Sequence, residues 1–164
     1  MMNGGFTQVL PAILAALLVW AAIVDLRTRT IPDGVSIAVV VMAPIYWWVS
    51  GIAFYPDAVE RICGAFLIFA VFFGMFSLGG MGGGDVKLGT AIGLWFAPLA
   101  TLQFFVVTSL AGGFVSVGAW IFHHKIKRLE GKTEVPYGVA IAFGGLWLLA
   151  QRFLNQFAGM SAGN

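Results

Sequence analysis

Five stretches of this chain contain no Asp, Glu, Lys or Arg: residues 6–24, 34–56, 62–84, 88–122 and 135–151. A helix crosses a hydrocarbon core about 30 Å thick with about 20 mostly apolar residues, so these runs have the length of membrane spans. A water-soluble domain carries about 25% charged residues, whereas 10% of these 164 residues are charged and 60% are hydrophobic. Folded in water, such a chain would expose broad apolar patches and aggregate. The sequence therefore predicts an all-α, polytopic membrane protein: one transmembrane domain over residues 1–164, with the lipid bilayer as its outer solvent.

The run over 88–122 is 35 residues long, enough for one very long helix or two short ones. Pro98 lies inside it, and a proline in a helix interior removes a hydrogen bond and collides with the preceding turn. Lys and Arg concentrate in cytoplasmic loops, and this bias decides the matter. A break near Pro98 gives six spans. The odd-numbered connections then carry seven basic residues (Arg27, Arg29, Lys87, Lys125, Lys127, Arg128 and Lys132) against two, Arg61 and Arg152, on the other side. Five spans give four against five. Six are expected, the fourth short or tilted, in a cell inner (cytoplasmic) membrane, with the odd loops in the cytoplasm and both termini outside.

Other classes fall away quickly. A single cysteine, Cys63, sits in an apolar run; it excludes a disulfide framework or a cysteine zinc site and reads as a packing residue. A scattered net charge of +2 gives no footing for nucleic acid. Residues 1–18 hold no Lys or Arg, so the first run lacks the basic region of a signal peptide and is expected to remain a helix. His123 and His124 are adjacent, diverge on a helix and fall in the basic loop, so no metal or cofactor is expected.

Seven acidic residues are present, and two stand where an acid is costly. Asp25 directly follows the nineteen residues 6–24, and Asp85 follows Gly79-Gly80-Met81-Gly82-Gly83-Gly84. The six-span arrangement puts both at one membrane face, where an ionisable residue is a functional candidate. Each also has a plainer reading: Asp25 as an interfacial residue paired with Arg27 or Arg29, and Asp85 as a helix N-cap. Five glycines in six residues shift the balance. So much glycine is costly in a membrane helix unless the backbone bends or something approaches closely. A side-chain-free segment beside a carboxylate lets an extended peptide lie against it. Close helix packing through small residues accounts better for Gly89 and Gly93, or Gly113 and Gly118, than for a solid glycine block.

Two neighbouring carboxylates cannot both ionise easily, so one keeps a proton. The ionised member can deprotonate a water that attacks a peptide carbonyl. The protonated member can hydrogen-bond the carbonyl oxygen and then protonate the leaving amine. A small proton-coupled transporter subunit would share these features, but it calls for a proton path through the membrane, and no acid or base lies in the other runs to continue one.

Gly82-Gly83-Gly84-Asp85 matches the G-x-G-D motif of membrane aspartic peptidases, and Gly-Gly-Gly-Asp-Val-Lys-Leu resembles its form in type IV prepilin peptidases. Asp25-Leu-Arg-Thr-Arg-Thr-Ile-Pro-Asp33 is similar to the segment after the first catalytic helix of that family. Val135-Pro-Tyr-Gly-Val-Ala140 resembles the start of its last helix. The resemblance is closest to short Tad/Cpa-type enzymes, which process Flp-like pilin precursors and related pseudopilins. It implies Asp25 and Asp85 as the catalytic pair, no cofactor, a prepilin or pseudopilin precursor as partner, and removal of its basic leader at the cytoplasmic face. Gly82 and Gly84 enter as motif positions; Lys87, Arg27, Arg29, Pro136 and Tyr137 enter as residues that bind substrate or border the site.

Plainer roles stand beside these. Lys87, Arg27 and Arg29 also suit cytoplasmic anchoring, and Pro136 suits the first turn of a helix. Trp20, Trp47, Trp48 and Trp120 suit interfacial or packing positions. Asp33, after Ile31-Pro32, suits a cap on a helix beginning near Gly34. Longer family members carry an N-terminal region with cysteine pairs and methylate the new N-terminus; with one cysteine and a start at the first helix, this chain is expected to lack that activity. An archaeal-type preflagellin peptidase is the near alternative. Presenilin-like enzymes fit less well, since their Pro-Ala-Leu signature is missing.

The charge pattern sets a direct test of topology. Reporter fusions after Arg29, Lys87 and Lys127 should read cytoplasmic, and fusions near Asp57 or Asn164 should read the opposite side. A cytoplasmic C-terminus would break the six-span arrangement.

Overall fold

In the structure, a computed structural model, residues 6–126 and 137–162 are described, with side chains over 7–118 and 137–155. The described residues form six α-helices: α1 (Phe6–Thr28), α2 (Asp33–Val49), α3 (Val59–Ser77), α4 (Gly83–Gly93), α5 (Pro98–Ile126) and α6 (Tyr137–Ala162). Four stretches are long and apolar enough to cross a membrane: Thr7–Thr28, Phe54–Ser77, Pro98–Gly118 and Tyr137–Asn155. α2 is apolar but shorter. The chain is an all-α, multi-pass membrane protein.

Each boundary has a local cause. α1 closes where Arg29 takes a left-handed φ of 53° and its amide donates to Asp25 O at 2.8 Å. α3 ends in a Schellman turn: Gly79, at φ 75°, donates to Phe76 O, and the Gly80 amide donates to Met75 O. Glycine takes that conformation without a Cβ clash. The break expected near Pro98 is present. α4 stops at Gly93, and Pro98 opens α5 as its first residue, where its missing N–H costs nothing. At about 1.5 Å per residue, the 11 residues of α4 cover only part of a bilayer.

The helices alternate in direction. Leu18 of α1 meets Gly145 of α6, and Asp25, seven residues on, meets Gly138, seven residues back. Gly83 at the start of α4 faces Phe76 near the end of α3, while Gly93 at its end faces Ala65. The connections after α1 and α3 and the start of α6 therefore share one end of the bundle. α4 is the interior helix, buried at seven of its 11 positions, Asp85 included, against α2, α3 and α6. Leu14, Leu18, Val39, Tyr46, Phe72 and Phe104 complete the core. Phe66, Leu67, Leu110 and Phe114 face outward, a surface for lipid tails.

Small residues set how closely helices approach. A Cβ on Gly93 would come within 2.9 Å of Ala65 Cα, and one on Gly89 would collide with the Phe72 ring. Both sit at close contacts, as the sequence suggested. Gly113 and Gly118 do not, because among the described residues nothing lies within 4 Å of a Cβ built on either; Gly112 of α5 packs instead, against Tyr137. Cys63 is exposed on α3 rather than packed inside. His123 and His124 belong to α5, not to the following loop.

Gly93→Ala should therefore lower stability in detergent by about 1–3 kcal/mol through overpacking. Gly113→Ala should leave it unchanged or raise it, since alanine is the better helix former. Equal melting shifts for the two variants would contradict this packing.

Candidate active site

α1 runs on past its apolar stretch for one more turn, and that turn carries Asp25. The side chain is only 4% exposed. A carboxylate removed from water calls for hydrogen-bond donors, and α6 supplies them. The first N–H groups of a helix have no partner within it, and the Val139 amide donates to Asp25 Oδ2 at 3.2 Å. The amide of Gly138 also faces the carboxylate. A Cβ on Gly138 would lie 2.7 Å from Oδ2, so α6 reaches Asp25 only with glycine at that position.

Asp85 is 7% exposed and stands in the first turn of α4. Its Oδ2 accepts the Gly82 amide at 3.1 Å. The side chain thus reaches back to the residue before the helix, the carboxylate half of a capping box, rather than capping from the N-cap position itself. A Cβ on Gly82 would sit 3.0 Å from the same oxygen. Gly84 turns the other way, onto Ile31, with 3.2 Å between its Cβ position and Ile31 Cβ.

Ile31 joins the two halves. Its Cδ1 lies 2.8 Å from where a Gly138 Cβ would be, so this one buried side chain wedges between the starts of α4 and α6. Around it the structure brings Asp25, Asp85, Gly82 and Gly84 to one end of the bundle. The two carboxylates are close enough for the charge of Asp25 to act on Asp85, and Arg29 acts electrostatically on Asp25. At the same end of the bundle a cavity of about 180 Å³ is lined by Phe72, Met75, Met81, Thr108 and Tyr137, among others, and by neither aspartate.

The remaining sequence candidates separate. Lys87 turns away from Asp85, and its Nζ donates to Asp33 Oδ1 at 2.8 Å on the exposed surface. Asp33 therefore does not cap α2: Pro32 holds the cap position, with no side-chain bond to the helix. Tyr137 faces α5, its ring on Gly112 and its hydroxyl hydrogen-bonded to Ser116 Oγ at 3.0 Å. Arg27 is exposed in the last turn of α1. Pro136 lies outside the described residues. Gly138 and Val139 lie in the Val135–Ala140 motif that the sequence places beside the site, although the sequence assigns them no contact with Asp25; Ile31 was not singled out. Ile31, an apolar residue before a proline, carried no signal of its own.

A buried carboxylate pair of this kind can share one proton and act as base and acid together. Among the described residues, no three His, Cys, Asp or Glu side chains gather into a group fit for a metal ion.

A family model described as the type IV leader peptidase family matches residues 12–117, a stretch containing both aspartates. A curated prepilin leader peptidase/N-methyltransferase of Aeromonas hydrophila is 27% identical over 144 residues, covering 82% of this chain and 47% of that protein. Its counterpart from Legionella pneumophila is 27% identical over 148 residues, covering 87% of this chain and 50% of the relative. The chain thus spans about half the length of the curated relatives it matches. No solved structure matches it significantly.

The Lys87–Asp33 pair has a measurable consequence. Both side chains are more than half exposed, and exposed ion pairs contribute about 1 kcal/mol or less. Lys87→Met should shift the unfolding free energy in detergent by no more than that. A larger loss would mean that the lysine holds α4 in place.

Proposed function

The chain belongs to the type IV leader peptidase family, and from that premise we propose that it is a membrane aspartic endopeptidase that removes the basic leader from prepilin precursors. The observation that carries this reading is the meeting of Asp25 and Asp85. Two helices each deliver a nearly buried carboxylate to one end of the bundle, within electrostatic reach of each other.

The pair holds one proton between its two members, and its titration belongs to the pair rather than to either residue. The ionised carboxylate takes a proton from water as the water oxygen attacks the scissile carbonyl. The protonated carboxyl donates a hydrogen bond to the carbonyl oxygen and then passes its proton to the departing amine. Water is consumed, and the pair returns to its single-proton state. The glycine-rich stretch 79–84 leaves a path free of side chains for an extended substrate backbone beside Asp85. Met75, Met81 and Tyr137 line the apolar cavity that receives a substrate side chain.

The substrate we assign is a Flp-type pilin or pseudopilin precursor, cleaved just before its hydrophobic helix. The membrane is the inner (cytoplasmic) membrane, with the aspartates near its cytoplasmic face, where the basic residues of the odd connections concentrate. Gly82 and Gly84 let Asp85 and Ile31 close onto the start of α4, and Arg29 tunes the pair through its charge.

The test is cleavage of a candidate precursor, read as a size shift on co-expression. Asp25→Asn and Asp85→Asn should each lower cleavage by at least about 10²-fold while the protein still accumulates in the membrane. Asp33→Asn should keep most activity, because Asp33 pairs with Lys87 on the surface. An active Asp25→Asn enzyme beside a dead Asp33→Asn one would move the second carboxylate to Asp33 and overturn this pairing.

A further inference from the structure

At the end of the bundle opposite the aspartates, a cavity of about 600 Å³ opens between the helices. Its polar lining is Arg61, Arg152, Ser50, Gln103, Gln151 and Asn155, and no acidic side chain belongs to that lining among the described residues. Arg61 enters from the first turn of α3. Its Nη1 donates to Trp95 O at 2.9 Å, but its Nε is buried with no hydrogen-bond partner. Arg152 enters from α6 and lies over the Tyr46 ring, 5.1 Å from the centroid. Among the described residues, neither guanidinium forms an ion pair. Asp57 and Glu60 act on Arg61 from a distance, and neither lines the cavity.

Each guanidinium also feels the charge of the other. Two like charges facing one cavity repel, and an anion between them turns that repulsion into two attractions while accepting the unused N–H groups. The planar fork of arginine matches phosphate oxygens in pairs. The level within the bilayer narrows the choice further. Trp48 and Tyr55, at this same end, are 84% and 78% exposed, and aromatic residues with polar tips collect at the headgroup layer. The cavity is also much larger than a lone phosphate requires.

We propose that this cavity binds the phosphodiester of an anionic lipid headgroup, with the phosphate bridging Arg61 and Arg152 and the headgroup hydroxyls meeting Gln103, Gln151 and Asn155. A lipid seated there ties α3 and α6 together at the end remote from the aspartates. The proposal does not depend on the peptidase reading, since none of these residues touches the carboxylate pair.

The test uses the delipidated full chain in detergent, titrated separately with phosphatidylglycerol, phosphatidylcholine and inorganic phosphate. Native mass spectrometry reads binding, and melting temperature reads its effect. Phosphatidylglycerol should be retained and raise the melting temperature, while phosphatidylcholine at the same concentration should do neither. Arg152→Gln should weaken phosphatidylglycerol binding by about tenfold or more, and Arg152→Lys, which keeps the charge but loses the fork, should fall between. The melting temperature of each lipid-free variant shows whether it is folded. Equal binding of both lipids, or unchanged phosphatidylglycerol binding by a folded Arg152→Gln protein, overturns the site. Stabilisation by inorganic phosphate at the concentration that suffices for the lipid overturns the headgroup as the source.

Discussion

Asp25 and the first turn of α6 meet across 114 positions of sequence, and the contact solves two problems at once. A carboxylate buried to 4% exposure has lost much of its water, and a helix start has amides that its own ladder cannot satisfy. Placed together, each removes the other's deficit. Leaving either unpartnered would cost about 1–3 kcal/mol, and more for the charged group. The contact also fixes the antiparallel register of α1 and α6, because Gly138 at Asp25 and Gly145 at Leu18 admit the close approach at two levels. α6, held to α1 in this way, packs in turn against α4.

α4 has the opposite character. It is short and buried on most of its surface, and it presents glycine where its neighbours come closest. In lipid, apolar side chains gain little from packing on each other rather than on acyl chains, so helix association relies on close backbone approach. Gly89 and Gly93 provide that against α3. The short helix leaves irregular backbone at both of its ends, which at membrane depth is tolerated only inside protein or beside a water-filled cavity. At one end this irregular backbone is the glycine-rich turn before Asp85. The same shortness that lets α4 fit inside the bundle thus places a segment with one side chain in six residues, Met81, next to a carboxylate.

What the sequence disclosed, and what it hid, follows from this physics. Charge is costly in lipid, so Asp25 and Asp85 stood out from uncharged surroundings, and Pro98 marked a boundary that backbone chemistry alone enforces. Which face of an apolar helix meets protein was not legible, because lipid-facing and core-facing positions are equally apolar. That is why Gly113 and Gly118 resembled Gly89 and Gly93 yet meet no close neighbour among the described residues, and why Cys63 read as buried. Asp33 looked like a cap because capping is local; its partner Lys87 lies 54 residues away. Ile31 is an ordinary isoleucine in sequence, and its role as a wedge exists only once α4 and α6 converge on it.

The two ends of α4 are held differently, and the difference bears on how Asp85 is positioned. Beyond its C-terminal end, Trp95 donates its indole N–H to Val39 O at 3.0 Å, Trp47 donates to Leu94 O at 3.0 Å, and Arg61 donates to Trp95 O at 2.9 Å. Three side-chain bonds, two to α2 and one to α3, pin that turn. The stacking of Tyr46 on Trp95, 5.0 Å between centroids, adds a fourth restraint. At the other end, the bond from the Gly82 amide to Asp85 is internal to the start of α4, and Ile31 supplies contact without hydrogen bonds. A helix is stiff along its axis, so the height of Asp85 in the bundle is set mainly from the pinned end, and Ile31 sets its lateral approach to Asp25.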